Sequence, residues 1–251
     1  MSISVKEKLI IEIVCVLVFV IVIVGIIMWK DRQGKIIMVT EAGFAPYEFY
    51  NGQEIVGVDI EIAKAIAEEL GKELVIVDTE FTSVLDKVKS GRADFAAAGL
   101  SITKERLEEV DFSIEYAVSK QVIVVKKDSE IRSIEDLSGK KVSVQLGTVA
   151  DIVLGEEYPE VKLVKRKRYS LAVKDVLMDT SSALVIDSLP AEDIIRRNPE
   201  LKILKPELFI CRYGIAVKKG NTELLETINS VLERLIAEGK IEEYTREYIE
   251  Y

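Results

Sequence analysis

Gly99-Leu-Ser-Ile-Thr-Lys-Glu-Arg106 follows a short apolar run, Phe95–Ala98, and the reading of this junction decides the fold. The apolar run predicts a buried strand. Thr103 opens a polar, helix-compatible segment and is a candidate N-cap. Free backbone amides at a helix start, the hydroxyls of Ser101 and Thr103, and the guanidinium of Arg106 thereby fall within a few residues. Such a set suits a small carboxylate, because amides and hydroxyls donate singly while Arg grips both oxygens. A capped helix with a solvated Arg is the plainer alternative.

Outward from this junction, strand-like and helix-like segments alternate, which indicates α/β architecture. Strands are expected at Ile36–Thr40, Leu74–Val77 and Gln121–Val125, then at Lys141–Val144, Ala183–Ile186 and Ile210–Val217. Asp59 is expected to cap a helix that carries Ile62, Ala63, Ile66, Ala67 and Leu70, closed by Gly71. Thr82 is expected to cap a shorter helix that Gly91 closes. Gly147-Thr148 starts a helix running to about Leu154, and Ser170–Met178 is helical. Another helix begins near Pro190, a residue favoured in a first turn. Thr222–Ala237 shows Ile228, Leu232, Leu235 and Ile236 on one face, with Gly239 after it. The basic run Lys165–Arg168 reads as a solvated face.

The bulk properties narrow the function. The chain has 251 residues, 49% of them hydrophobic and 31% charged, so it has room for one or two domains with a real core. The formal net charge of −9 argues against a nucleic-acid partner. With no His, Ser-His-Asp and Cys-His catalysis are excluded. Cys15 and Cys211 form no disulfide framework. No Gly-rich phosphate loop followed by Lys-Ser or Lys-Thr is present, so the chain carries no ATPase of its own. No cofactor is expected.

Near the N-terminus, Ile13–Trp29 is unbroken by any charge, and Leu9–Ile11 extend the apolar stretch past Glu12. About 20 residues of helix span the hydrocarbon thickness. Bulky residues stand where a signal-peptide cleavage site needs small ones. Residues 9–29 are therefore read as an uncleaved transmembrane signal-anchor, with Trp29 at the interface. Lys6 and Lys8 before it nearly balance Lys30, Arg32 and Lys35 after it, so charge leaves the orientation open.

From about Lys35 to Tyr251 the chain resembles the extracytoplasmic solute-binding proteins of polar amino-acid ABC importers, family 3. The resemblance rests on blocks in family order. They are Phe-Ala-Pro-Tyr-Glu-Phe (44–49), Gly-Val-Asp-Ile-Glu-Ile-Ala (57–63), Lys-Ser-Gly-Arg-Ala-Asp (89–94) and Ser-Ile-Thr-Lys-Glu-Arg (101–106). Val-Asp-Phe-Ser (110–113), Asp-Leu-Ser-Gly-Lys-Lys-Val (136–142), Gln-Leu-Gly-Thr (145–148) and Tyr-Gly-Ile-Ala-Val-Lys-Lys-Gly (213–220) follow. It implies a two-lobed, class II periplasmic-binding-protein-like clamshell behind the transmembrane helix. Lobe 1 is expected over 35–120 plus 215–251 and lobe 2 over 125–210, joined by two crossing segments. The cleft between them would hold the ligand and close on it. The globular part would lie outside the cell, anchored to the membrane, and pass its cargo to an ABC permease.

A free amino acid has a carboxylate, an ammonium and a side chain, each needing a partner once water leaves. Arg106, supported by Ser101 and the loop beginning at Gly99, is the candidate for the carboxylate. Thr148 and the amide of Val149 would add to it from the facing lobe, although a Gly-Thr turn can equally be a helix cap. Asp187 ends a buried apolar run, so it is either an N-cap or a cleft residue. The resemblance implies the second, as the ammonium's partner. It also implies that Phe44 and Phe81 wall the side-chain pocket and that Glu41 meets the side chain, favouring a cationic or amide cargo; Gln145 joins them. Asp179-Thr-Ser-Ser182 departs from the family's pattern ahead of Asp187. The alternatives are a dehydratase acting on cyclohexadienyl acids or arogenate, with Glu41 as its acid, and a sensor ectodomain; the expected protein is not an enzyme.

Overall fold

The computed structural model describes residues 34–205 and 207–250. Strand β1 (Lys35–Thr40) is followed by a short hairpin, β2 (Phe49–Asn51) and β3 (Glu54–Val56), and by helix α1 (Val58–Glu69). Then come β4 (Glu73–Asp78), α2 (Val84–Lys89), β5 (Phe95–Ala96), α3 (Lys104–Glu109) and β6 (Val110–Phe112). A long strand, β7 (Ala117–Lys126), leads to β8 (Lys141–Gln145), α4 (Val149–Glu157) and β9 (Lys162–Arg166). α5 (Tyr169–Leu177), β10 (Ala183–Asp187), α6 (Ser188–Arg197) and β11 (Leu201–Ile203) follow. The chain ends through β12 (Ile210–Tyr213), β13 (Ala216–Lys218), α7 (Thr222–Ala237) and α8 (Lys240–Ile249).

These elements build two sheets. The first has the order β4-β1-β5-β13-β6; β1 runs parallel to both β4 and β5, and β13 runs antiparallel to β5 and β6. The second has the order β11-β7-β10-β8-β9, with β12 paired to β7. Only β7 and β12 pass between the two, side by side and antiparallel, with Ser119 opposite Cys211 and Ala117 opposite Tyr213. A two-strand crossing lets two sheets turn about a common line without breaking either ladder.

Each sheet has a core of its own. Val39, Val84, Val88, Ala96, Leu100 and Val110 form one beside the five-stranded sheet. Ile123, Leu137, Val142, Val144, Leu154 and Val185 form another beside the six-stranded sheet. A third, larger cluster joins the two units through Phe44, Tyr47, Tyr169 and Tyr213. Tyr47 meets Tyr213 edge-on with centroids 5.1 Å apart, and Phe44 stacks on Tyr169 at 5.4 Å. The two units are therefore closed on one another.

Several expectations are corrected. The expected strand Ile210–Val217 is two strands, because β12 belongs with β7 and β13 with β5 and β6. Gly214 sits at the switch, where a Cβ would come within 2.9 Å of Ile102 Cδ1. Asp59 does not cap α1. Gly57 does so positionally, at φ 130°, where a Cβ would lie 2.2 Å from the Tyr47 carbonyl oxygen. Asp59 instead lies in the first turn with its side chain in the core. Thr82 falls inside a 3-10 turn, Phe81–Ser83, ahead of α2. The strand at Phe95–Ala98 pairs only over its first two residues, though all four are buried. The helix α8 after Gly239 was not expected from the apolar pattern. The transmembrane segment expected over 9–29 lies outside the described residues; among those described, no helix is long and apolar enough to cross a membrane.

Candidate ligand-binding site

The closed units leave a cavity between them of about 350 Å³ including its open mouth. Glu41, Phe44, Phe81, Gly99, Ser101, Arg106, Gln145, Thr148, Val149 and Asp187 all line it. All ten residues singled out from the sequence are thus brought together, although they lie on five separate stretches of chain.

Arg106 is positioned by its own helix start. Thr103 has extended backbone and caps α3 by accepting from the Arg106 amide at 3.3 Å. That fixes the first turn, so the guanidinium folds back: Nη1 donates to the Ser101 carbonyl oxygen at 2.8 Å, and Nη2 to the Gly147 carbonyl oxygen at 3.1 Å. Its centre stands 5.5 Å from the Phe81 ring centroid. Five N–H groups are available on a guanidinium and these bonds use two, so donors remain for an anion. Burial pulls its pKa down, opposed by Cys211, Tyr169 and Asp187, yet an arginine stays charged at any ordinary pH. Gly99 packs tightly beside it at φ 53°, and its amide donates to Asp59 Oδ2 at 3.0 Å. Asp59 Oδ1 also accepts from the buried Tyr116 hydroxyl at 2.7 Å, so the loop carrying Ser101 is tied to α1.

On the facing unit, Thr148 caps α4: its Oγ1 accepts from the Asp151 amide at 3.3 Å and donates to the Gln145 carbonyl oxygen at 2.8 Å. Thr148 thus caps its helix and also lines the cavity. Asp187 occupies the N-cap position of α6 but makes no cap bond. Its Oδ1 is buried and finds no hydrogen-bond partner among the described residues. Burial raises its pKa, and the neighbouring Tyr213, Gln121 and Ser119 oppose the rise. A buried acceptor with no donor is costly, and a cationic ligand donor removes the cost.

Glu41, at the end of β1, is 2% exposed. Gln145 Nε2 donates to its Oε2 at 3.2 Å, and Arg168 Nη1 to its Oε1 at 3.0 Å. Burial lifts its pKa to about 7 against the pull of Gln145 and Arg168. The basic run is a solvated face only in part: Lys165 and Lys167 are exposed, whereas Arg166 and Arg168 are half-buried. Arg168 pairs with Glu41 and Asp78, Lys167 with Glu80, Arg166 with Asp175 and Lys165 with Asp151. Lys165 and Arg166 turn to α4 and α5 of their own unit, whereas Lys167 and Arg168, beyond the end of β9, reach the neighbouring unit.

Four further cavity residues escaped the sequence reading: Glu48, Gln121, Tyr169 and Ala98. Glu48 is fully buried, and burial together with Asp59 pushes its pKa well up. An acid between Tyr47 and Phe49 was the available signal, as was a Gln opening the apolar run of β7. Nothing marked Tyr169, whose place depends on closure.

A family model described as "Bacterial extracellular solute-binding proteins, family 3" matches residues 36–251. The arginine-binding extracellular protein ArtP of Bacillus subtilis is 34% identical over 223 residues, covering 87% of this chain and 88% of ArtP. Among solved structures, AbpA from Streptococcus pneumoniae bound to L-arginine is 31% identical with a TM-score of 0.84, covering 88% of this chain and 96% of AbpA. The arginine-bound form of truncated ArgBP from T. maritima is 39% identical with a TM-score of 0.79, covering 82% and 98%.

Proposed function

The chain belongs to the bacterial extracellular solute-binding proteins, family 3, and from that premise we propose that it captures a cationic amino acid, arginine foremost. The cargo binds between lobe 1 (35–120 plus 215–251) and lobe 2 (125–210) and passes to an ABC permease. Its carboxylate rests on Arg106, with Ser101, Thr148 and the Val149 amide. Its ammonium meets Asp187, and its side chain runs between Phe44 and Phe81 toward Glu41. Residues 9–29 anchor the protein, with the cleft on the extracytoplasmic side.

The observation that carries this reading is the acidic lining of the cavity: beside the single guanidinium of Arg106 stand Asp187, with a buried oxygen that has no partner among the described residues, and Glu41. A zwitterion uses one acid and one base, and an acid surplus then favours a further positive charge. Arginine-bound relatives of the same fold support it.

A cleft carboxyl with a raised pKa is also what a general acid needs, and Glu41 has one. Its pairing with Arg168 and Gln145, and the binding-protein character of the relatives, favour a receptor.

A thermal-shift screen against the twenty amino acids tests the proposal. Arginine at 100 times its dissociation constant adds about 2.7 kcal/mol of stability. A melting shift with another small acid and with no amino acid overturns it, and turnover of prephenate or arogenate revives the enzyme.

A further inference from the structure

We infer that Arg168 is a latch at the rim of the cavity, a positioning residue that governs how long the closed cleft retains its cargo. Every partner of its guanidinium lies on the facing unit. Nη1 donates to Glu41 Oε1 at 3.0 Å and to the Ala42 carbonyl oxygen at 3.3 Å, and Nη2 donates to Asp78 Oδ2 at 3.1 Å. The acceptors are pre-set. Asp78 Oδ1 accepts from the Ala42 amide at 2.9 Å, and its Oδ2 accepts from the Tyr50 hydroxyl at 3.1 Å. A planar fork reaching two acids at once is a task for Arg and not for Lys.

Arg168 does not line the cavity, whereas Glu41 does. Glu41 thus presents one side to the cargo and gives an oxygen to the latch, and a carboxylate has lone pairs for both. Tyr169, the next residue, stacks on Phe44 of the facing unit, so two consecutive side chains clamp the 41–44 loop. Side-chain exposures of 34% for Arg168, 20% for Asp78 and 3% for Glu41 set this pair apart from Lys167–Glu80, at 65% and 43%. The exposed pair contributes little; the shielded one must break before the units part.

Cargo enters the open form before the latch forms and leaves only after it breaks. The latch therefore acts on release and not on capture. The cargo-dependent part of the inference rests on the proposed function, whereas closure does not.

The test uses the full-length chain in detergent. Release of radiolabelled L-arginine is chased with unlabelled arginine for the wild type, R168A and R168K. R168A is expected to release about tenfold faster or more with capture nearly unchanged, and R168K to fall between. The distance between a spin label on each unit, measured without ligand, should lengthen in R168A. Wild-type release from R168A overturns the latch, as does an unchanged label distance. If R168A does not fold, R168K decides: wild-type release from it overturns the latch. If the wild type holds no arginine, the proposed cargo fails and the ligand-free distance alone decides the latch.

Discussion

Arg106 and Gly147 are joined across the cleft by a single hydrogen bond, from Nη2 to a carbonyl oxygen, at 3.1 Å. The residue that would grip the cargo's carboxylate is therefore already holding the facing unit. On the proposed assignment, cargo binding and closure share one guanidinium and are parts of one free-energy balance.

Removing that guanidinium should damage affinity more than fold. Arg106→Ala is expected to weaken arginine binding by about 2–5 kcal/mol, roughly thirtyfold to several thousandfold, measured by calorimetry. Arg106→Lys keeps the charge but loses the fork, and should recover only part of the loss. Affinity within a few-fold of the wild type in Arg106→Ala would remove the carboxylate assignment.

Glu41 makes stability depend on pH in a stated direction. Its carboxyl is lifted from 4.5 to about 7 by burial, so the folded protein binds the proton more tightly than the unfolded chain. The contribution is fully present below the unfolded value and is lost as pH rises through about 7. Buried Glu48, Asp59 and Asp187 shift in the same direction. The Glu41 term amounts to about 3 kcal/mol, so Glu41→Gln should lose less stability than the wild type between about pH 5 and about pH 8. Parallel melting curves across that range would refute the assignment.

Gly99 is required by its surroundings. At φ 53° a Cβ would be strained, and it would sit 2.7 Å from Phe44 Cε1 and 3.0 Å from Phe44 Cδ1. Gly99→Ala is expected to cost about 1–3 kcal/mol, lowering the melting temperature by several degrees. It should also weaken binding, because the ring that must yield lines the cavity. A variant with wild-type melting and affinity would show that the Phe44 ring moves freely.

Much of the candidate site was legible because its residues sit at element ends, where chemistry and local structure coincide. Thr103 and Thr148 announce helix starts; the first positions Arg106 and the second brings Thr148 and Val149 to the cavity. Asp187 was legible as an acid closing an apolar run, a placement that burial makes costly unless something answers it. Glu48 and Gln121 were harder, because a polar residue inside an apolar block looks alike whether it faces a partner or a cavity. In the Lys165–Arg168 run, Lys165 and Lys167 are exposed as a solvated face requires, but Arg168 is turned to Glu41 and Asp78, and charge on a strand says nothing of whether an oppositely charged surface closes over it.

By itself the sequence determined the alternation of strands and helices, the helix caps and the family blocks, all of which depend on neighbours a few residues away. Only the tertiary structure decided which sheet receives β12 and which receives β13. It alone set Arg168 against Glu41, 127 positions apart, and Arg106 against Gly147. Local propensity acts over a turn or a strand, whereas the pairing of charges across a cleft depends on how two separately folded sheets meet.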